Sequence, residues 1–170
     1  MGTTLTLRLA VPADLSAVDR LLARSYPKLL AGDYAPSTMV LAVPRLTRAR
    51  PELLASRHYF LAEAADGTLL AAGGWSRMTG RRTSLSDTGA VRHVATDPAV
   101  ARQGVGRALM TRVMEDARDA GVLWFDCLST RTAVPFYRSL GFRTLYPTDI
   151  PLAPGIVFPA VRMIADLSRI

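Results

Sequence analysis

One stretch of the sequence decides the fold: Asp97-Pro98-Ala99-Val100-Ala101-Arg102-Gln103-Gly104-Val105-Gly106-Arg107-Ala108-Leu109. The β-rich run Ala90 to Thr96 leads into it, and apolar residues at helical spacing, from Leu109 to Ala120, lead out of it. Its glycines let the backbone approach a ligand closely, and the first N–H groups of a helix have no internal partner. A strand, a glycine turn and a helix in this order therefore predict an anion site that suits a pyrophosphate.

The composition is typical of a globular protein. The chain has 170 residues, of which 49% are hydrophobic and 21% are charged, which predicts one domain, residues 1–170, with a core large enough to fold alone. No apolar run is long enough for a membrane span, and the first residues do not have the pattern of a signal peptide. The single Cys127 lies in an apolar run, which predicts a buried thiol, a reducing compartment and a cytoplasmic location.

The net charge of +7 comes almost entirely from arginines spread along the chain. This excess is compatible with nucleic-acid binding, but it also suits a protein that binds a polyanionic small molecule such as a nucleotide. Residues 101–121 could be taken for part of a helix-turn-helix motif of a DNA-binding regulator. They follow a strand, however, and have no second helix at the required spacing, so we expect no nucleic-acid partner.

The rest of the chain predicts a mixed α/β fold in the order β-α-α-β-β-β-α-β-α-β-β. This order indicates a mostly antiparallel mixed sheet of six or seven strands with helices on both faces. Asp66-Gly67 predicts a hairpin, and Gly121 predicts the end of a helix. Asp14 and Thr132 are predicted to cap the helices that follow them. The segment Ser76 to Gly89 is predicted to be an exposed connection. The predicted strands are 4–9, 58–64, 68–75, 90–96, 123–128, 142–146 and 160–167. The predicted helices are 14–29, about 37–51, a short helix through Leu54, 109–120 and 132–140. Residues 147–159 are predicted to form a Pro-rich loop.

Two motifs in this order resemble those of the GCN5-related N-acetyltransferase superfamily. Val94 to Leu109 is similar to the acetyl-CoA motif, in which a strand ends in Pro and a loop of the form Gln/Arg-x-x-Gly-x-Gly/Ala opens a helix. Ser129 to Phe142 resembles the later helix, which reads Asn-Ala-x-x-Phe-Tyr and then Leu-Gly-Phe. The chain departs from the pattern of the family at two positions. Ala101 stands where the acetyl-CoA motif has Gln or Arg, and Thr132 stands where the later helix of the family begins with Asn.

The resemblance implies a single N-acetyltransferase domain that uses acetyl-CoA as co-substrate and no metal. The acyl group passes to a small-molecule amine or a peptide amine by direct attack. The N–H groups of Arg102 to Ala108 would hold the pyrophosphate with the help of the helix dipole, and the backbone of Val94 and Thr96 would pair with the pantetheine arm as an extra strand does. The implied cofactor-binding residues are Val94, Ala95, Thr96, Arg102, Gln103, Gly104, Val105, Gly106, Arg107, Ala108, Thr132 and Phe136.

The implied chemistry needs a proton donor for the leaving thiolate and a base for the amine. Tyr137 stands at the usual acid position of the family, and its alternative role is core packing beside Phe136. His93 lies five residues before Pro98, where many members of the family carry a Glu or Asp base, and it suits proton abstraction directly or through water. Its alternative role is that of a hydrogen-bonded core histidine. Asp87 and Glu63 are weaker substitutes, and some members need no dedicated base.

Four further residues are candidates for the acceptor side: Tyr34, Trp75, Arg77 and Arg92. For each of them a surface charge or a core aromatic is an equally good interpretation. No Cys, His and Asp cluster has metal-ligand spacing. The acceptor cannot be read from the sequence, a homodimer is possible, and a second class of function is a non-catalytic acyl-CoA sensor on the same fold.

Overall fold

The structure is a computed structural model that describes residues 4–79 and 87–170. The strands are β1 (Thr6–Leu9), β2 (Tyr59–Glu63), β3 (Leu69–Arg77), β4 (Thr88–Thr96), β5 (Trp124–Ser129), β6 (Arg143–Ala153) and β7 (Ile156–Asp166). The helices are α1 (Leu15–Leu30), α2 (Pro36–Leu46), α3 (Pro51–Leu54), α4 (Val105–Asp119) and α5 (Val134–Ser139), with 3-10 turns at Pro12–Asp14, Pro98–Val100 and Leu167–Arg169.

The strands form one sheet in the order β1-β2-β3-β4-β5-β7-β6. Only the β4–β5 pair is parallel among the described strands, so the predicted mostly antiparallel sheet is confirmed. Consecutive residues of β2 pack into different cores on the two faces of the sheet: Phe60 packs with α4, and Leu61 packs with α1. Helices therefore cover both faces, as predicted, and none of the described helices combines the length and apolar character needed to cross a membrane.

The sheet opens between β4 and β5. Their pairing covers only three positions, from Thr88 opposite Trp124 to Ala90 opposite Asp126. Beyond this point β4 continues to Thr96 and β5 to Ser129 without pairing to each other. The two carboxyl ends therefore separate, and the glycine turn and α5, which follow these ends directly, lie beside the opening.

A β-bulge in β4 lies within this opening. The register with β3 shifts between Ala72 and Gly74, so that His93 and Val94 both stand opposite Gly73. His93 has a φ of +46°, a left-handed conformation that is uncommon for a residue other than glycine. A Cβ on Gly73 would come within 2.8 Å of the Val94 side chain. Glycine at position 73 therefore makes room for the bulge, which changes the direction of the strand next to the opening.

The predicted Pro-rich loop 147–159 is wrong, because most of it belongs to the hairpin of β6 and β7. Pro147 and Pro151 lie on β6, the edge strand of the sheet, where a missing N–H donor is tolerated. Pro159 lies on β7 before Val161, the first residue of β7 that pairs with β5, so its missing N–H breaks no bond to β5. Each proline therefore lies at a position in the sheet where it does not prevent strand formation, although proline by itself predicts a break in a strand.

Other local predictions are confirmed or shifted. Gly67 and Gly121 have φ values of +84° and +85°, as a hairpin turn and a helix stop require. The predicted connection Ser76 to Gly89 is shorter, because β3 extends to Arg77 and β4 begins at Thr88, and residues 80–86 lie outside the described residues. Asp14 precedes α1, but its carboxylate pairs with Arg8 and accepts from the N–H of Val11 instead of capping α1.

Candidate active site

A cavity of about 690 Å³ lies where β4 and β5 separate. Residues of α1 border it on one side, and the glycine turn, the end of β5 and α5 border it on the other. The structure thus brings together residues that are far apart in the sequence. The predicted site residues that line this cavity are His93, Val94, Ala95, Thr96, Arg102, Gly104, Gly106, Arg107, Thr132, Phe136 and Tyr137.

The glycine turn has the conformation that its sequence predicts. Gly104 precedes α4 with a φ of +84°, and Arg102 is also left-handed, with a φ of +64°. The first intrahelical bond runs from the N–H of Ala108 to the carbonyl oxygen of Gly104, at 3.0 Å. The N–H groups of residues 105–107 therefore precede that bond and remain available for an anion.

Three residues of the turn differ from the prediction. The N–H groups of Ala108 and Gln103 already donate to backbone carbonyls, those of Gly104 and Val100, at 3.0 and 3.3 Å. The side chain of Val105 is buried in the core. None of the three lines the cavity, and of their N–H groups only that of Val105, which precedes the first intrahelical bond, remains available for an anion.

Gly106 keeps the start of α4 open. A Cβ at this position would lie 3.1 Å from Oγ1 of Thr96 and 3.4 Å from the Phe136 ring. Thr96 ends β4 and Phe136 belongs to α5, so three elements converge on this glycine. The absence of a side chain leaves a cradle in front of the first N–H groups of α4 that a bulky anion can enter.

The carbonyl oxygens of β4 are held by hydroxyl groups that the sequence analysis did not single out. The hydroxyls of Tyr59 and Ser25 donate to the carbonyls of His93 and Thr96, each at 2.8 Å. The Tyr26 hydroxyl stands 3.5 Å from the carbonyl of Val94. One sequence signal was available for α1: a polar residue, Ser25, continues its apolar stripe and is buried.

Tyr137 is buried at the cavity wall, with 6% of its surface exposed. Its ring makes edge contacts with Phe136 and Phe142, both at 5.2 Å between centroids, and its hydroxyl lies beside the thiol of Cys127. Burial raises the pKa of Tyr137 well above 10, and the nearby Cys127 and Tyr26 add to this effect. The phenol therefore stays protonated and can act as a proton donor.

Cys127 is a buried free thiol, as predicted, and it also lines the cavity. Burial raises the pKa of Cys127 to about 12, so the thiolate that reacts with alkylating reagents is rare at neutral pH. We expect iodoacetamide to label the native protein at least about a hundredfold more slowly than the unfolded protein. Mass spectrometry of timed samples checks this, and equal labelling rates would contradict a buried, protonated thiol.

His93 lines the cavity from the bulge of β4. Its Nδ1 is buried and has no hydrogen-bond partner within the described part of the chain, so the predicted alternative of a hydrogen-bonded core histidine does not hold at this nitrogen. Burial, together with the nearby charges of Arg50 and Arg92, lowers the pKa of His93 to about 4. The imidazole is therefore neutral at neutral pH and offers a proton acceptor to the cavity.

Tyr34 and Thr132 fasten the α1–α2 loop beside the cavity. The Tyr34 hydroxyl donates to the carbonyl of Pro159 at 2.7 Å and accepts from the N–H of Arg131 at 2.8 Å. The hydroxyl of Thr132 donates to Asp33 at 2.7 Å, and the residue before α5 is Ala133, so the predicted helix cap is wrong. Thr132 lines the cavity, whereas Tyr34 does not.

The structure places Trp75 and Arg77 away from the cavity. Trp75 is 1% exposed, and its indole N–H donates to Asp116 of α4 at 2.8 Å. The Arg77 guanidinium lies 5.7 Å from the Trp75 ring centroid and donates to the carbonyl of Ala120. Both residues therefore pack at the carboxyl end of α4. For Trp75 the alternative prediction, a core aromatic, is the one that the structure supports.

The substitute bases are also engaged elsewhere. Glu63 pairs with Arg8 at 2.7 Å, and Asp87 accepts from the hydroxyl of Thr88 at 3.3 Å. Neither lines the cavity. Within residues 4–79 and 87–170, no group of three or more His, Cys, Asp and Glu residues is placed to hold a metal ion. Residues 101–121 form one turn and one helix followed by a strand, which does not match a helix-turn-helix motif.

Known proteins are similar to this chain in sequence. The family model described as acetyltransferase (GNAT) domain matches residues 55–144, just over half of the chain. Mycothiol acetyltransferase of Nocardiopsis dassonvillei is 36% identical over 102 residues, which cover 56% of this chain and 30% of that protein. The ribosomal protein bS18-alanine N-acetyltransferase of Escherichia coli is 38% identical over 65 residues, 33% of this chain and 44% of that protein. The matches thus span less than half the length of these curated relatives.

Solved structures share the fold. The PaiA N-acetyltransferase from Thermoplasma acidophilum in complex with coenzyme A has a TM-score of 0.71 at 15% identity, with 96% of this chain and 99% of that chain covered. A GCN5-related N-acetyltransferase from Rhodopseudomonas palustris has a TM-score of 0.74 at 16% identity, with 98% of each chain covered. At such identities the likeness concerns the fold alone.

Proposed function

The chain belongs to the acetyltransferase (GNAT) domain family, and from this membership we propose that it transfers an acetyl group from acetyl-CoA to a primary amine by direct attack. The observation that carries the proposal is a single cavity that joins the open glycine turn to the phenol of Tyr137. We further propose that residues 1–170 act as one acetyltransferase domain in the cytoplasm. The acceptor is then a small-molecule amine or a peptide amine.

The proposed site for the pyrophosphate of acetyl-CoA is the start of α4. The free N–H groups of residues 105–107, the positive end of the helix dipole and the guanidinium groups of Arg102 and Arg107 all favour an anion there. Gly106 leaves room for it. The backbone from Val94 to Thr96 is not paired with β5, so an extended pantetheine arm can pair with it as a strand does.

The reaction proposed for this site is a direct displacement. The acceptor nitrogen attacks the thioester carbonyl carbon and forms the C–N bond, and the carbonyl oxygen becomes negatively charged. We assign a backbone N–H of the β4 bulge at His93 and Val94 as its hydrogen-bond donor, because a bulge leaves a residue outside the ladder. The electron pair of this oxygen then re-forms the C=O bond as the C–S bond breaks. The electron pair of the C–S bond goes to sulfur, which takes the proton of the Tyr137 hydroxyl.

His93 is the proposed acceptor of the amine proton, directly or through water. The attacking nitrogen becomes positively charged as the C–N bond forms, which makes its proton far more acidic than that of the free ammonium ion. A weak base suffices at that stage. His93 lines the cavity and its imidazole is neutral, which supports this role.

The buried neutral imidazole predicts an acid-dependent loss of stability. The pKa of His93 is lowered from 6.5 to about 4 in the folded state, so the unfolded state binds this proton first as the pH falls between those values. We expect stability to fall by at most about 1.4 kcal/mol per pH unit in that range because of His93. Denaturant unfolding at several pH values measures this loss.

Variants of the two histidines of the chain, His58 and His93, distinguish their contributions to this acid-dependent loss of stability. His93→Gln is expected to remove its share of the acid-dependent loss and to lower kcat, whereas His58→Gln retains the His93 share. A His93→Gln variant whose stability falls with acid as steeply as that of the wild type would show that this imidazole is not the buried group.

The proposed function is tested by a screen for CoA release with diverse amines and with acetyl-, propionyl- and succinyl-CoA. We expect thiol release that depends on both an acyl-CoA and an amine. Acetyl-CoA binding without thiol release over a broad amine panel would instead favour the sensor alternative. Absence of acetyl-CoA binding would overturn both.

A further inference from the structure

A charged cluster lies on the sheet face next to the opening between β4 and β5. Asp126 is the last residue of β5 that pairs with β4, and it is 8% exposed. The Nε of Arg162 on β7 donates to its Oδ1 at 2.7 Å, and another nitrogen of Arg162 donates to the Tyr146 hydroxyl at 2.9 Å. The charges of Asp126 and Arg162 therefore offset each other.

Arg92 belongs to the same face but has no such partner. It follows Ala90, the partner of Asp126, by two positions on β4, and residues two apart on a strand share a face. Its Nε donates to the neutral hydroxyl of Ser76 at 2.9 Å. Among the residues that the structure describes, no carboxylate lies within 4.0 Å of the Arg92 nitrogens, so the exposed guanidinium keeps an unbalanced positive charge.

The unbalanced charge stands at the edge of the candidate active site. Arg92 itself does not line the cavity, whereas its chain neighbours Val91 and His93 do. Leu128, which follows Asp126 by two positions on the same face, lines it as well. Burial lowers the pKa of Arg92, and the nearby Arg50, at the start of α3, lowers the pKa of both Arg92 and His93. Asp126 acts on Arg92 in the opposite sense, but its carboxylate is paired with Arg162. The side of the cavity next to His93 is therefore positive.

We propose that the acceptor is a primary amine that carries a carboxylate near the amine, and that Arg92 binds this carboxylate. This inference rests on the proposed function and specifies its acceptor. A guanidinium offers a planar pair of donors that matches a carboxylate, whereas a polyamine would meet only repulsion from Arg92 and Arg50. The carboxylate holds the acceptor so that its nitrogen reaches the cavity beside His93. An amino acid-like molecule and a peptide with an acidic residue near its amine both carry a primary amine and a carboxylate close together.

The test compares matched acceptors on wild-type and variant proteins. β-Alanine and 4-aminobutyrate are measured against propylamine and butylamine, and peptides with an acidic residue are measured against their amidated counterparts. We expect wild-type kcat/KM to be about tenfold to a hundredfold higher for the carboxylate members. Arg92→Gln removes most of this preference through the acceptor KM, Arg92→Lys keeps part of it, and the KM for acetyl-CoA does not change.

Arg112→Gln is the control variant. It removes a guanidinium from α4 that lies over the Phe60 ring and does not line the cavity, so the carboxylate preference stays intact. A preference for the amino acid pairs alone indicates a small-molecule acceptor, and a preference for the peptide pairs alone indicates a peptide acceptor. Either result supports a carboxylate-bearing acceptor.

Failure of this inference is distinct from failure of the proposed function. If neutral amines are acetylated as well as their carboxylate partners, the role of Arg92 is overturned while the transferase activity stands. If acetyl-CoA binds but no amine in the panel reacts, calorimetry of the same carboxylate amines with the acetyl-CoA complex decides. Equal heats for wild type and Arg92→Gln would then overturn the inference. Absence of acetyl-CoA binding overturns the proposed function itself.

Discussion

Tyr137→Phe is expected to lower kcat for amine acetylation by about a hundredfold to ten-thousandfold. The variant keeps the ring that packs against Phe136 and Phe142 and removes only the hydroxyl that we propose gives its proton to the leaving sulfur. Because that proton is transferred after acetyl-CoA has bound, the affinity for acetyl-CoA is expected to stay within about twofold. The elevated pKa of Tyr137 keeps the phenol protonated over the range in which most acetylation assays are run.

The measurement combines thiol release at saturating substrates with calorimetric titration of acetyl-CoA. Tyr146→Phe is a matched control, since it removes a phenolic oxygen from the exposed β6 strand, outside the cavity, and kcat is expected to be unchanged. A Tyr137→Phe variant with wild-type kcat would remove Tyr137 from the mechanism. Loss of kcat together with an equal loss of acetyl-CoA affinity would assign it a packing role instead.

The glycine turn was readable from the sequence because its signals are local. A left-handed residue before a helix requires Gly104, and the helix that follows shows its apolar stripe within fifteen residues. The Phe136-Tyr137 helix is equally local. Both motifs lie at the ends of strands, but the pairing of β4 with β5 that brings those ends to one cavity is a property of the folded sheet and was not predicted.

The bulge at His93 and the hydroxyl donors on β4 were not readable, because they depend on distant partners. The bulge needs Gly73 on the neighbouring strand to make room for Val94. Tyr59 and Ser25 reach the β4 carbonyls from β2 and α1. Nothing within β4 itself indicates these bonds, although the buried polar position of Ser25 on an apolar helix stripe was a usable signal.

Trp75 and Arg77 show why a strand pattern does not by itself assign a side chain to a site. Neighbouring residues of a strand point to opposite faces, so a shift of one position exchanges core and cavity. Trp75 faces α4 and binds Asp116, while the adjacent Ser76 faces the side on which Arg92 lies. Only the register between β3 and β4 decides whether Trp75 or Ser76 shares a face with Arg92.

Gly106→Val is expected to weaken acetyl-CoA binding by about a hundredfold or more, because it blocks several charge-assisted hydrogen bonds at once. The new Cβ would meet Thr96 at 3.1 Å and the Phe136 ring at 3.4 Å, and the branched side chain would fill the cradle before the N–H groups of residues 105–107. Gly106→Ala, which adds only the Cβ, is expected to have a smaller effect on affinity.

The effect on stability distinguishes a blocked site from a damaged fold. Gly106 lies within the first turn of α4, where the higher helix propensity of alanine, up to about 1 kcal/mol, offsets the cost of the 3.1 Å contact with Thr96, so Gly106→Ala should bind acetyl-CoA less well with only a small change in stability. Gly121→Ala gives the opposite pattern: no atom lies within 4 Å of its Cβ, but its φ of +85° is strained for alanine. That variant should lose about 1–2 kcal/mol of stability and keep its affinity. Full acetyl-CoA affinity in Gly106→Val would show that the anion does not bind at the start of α4.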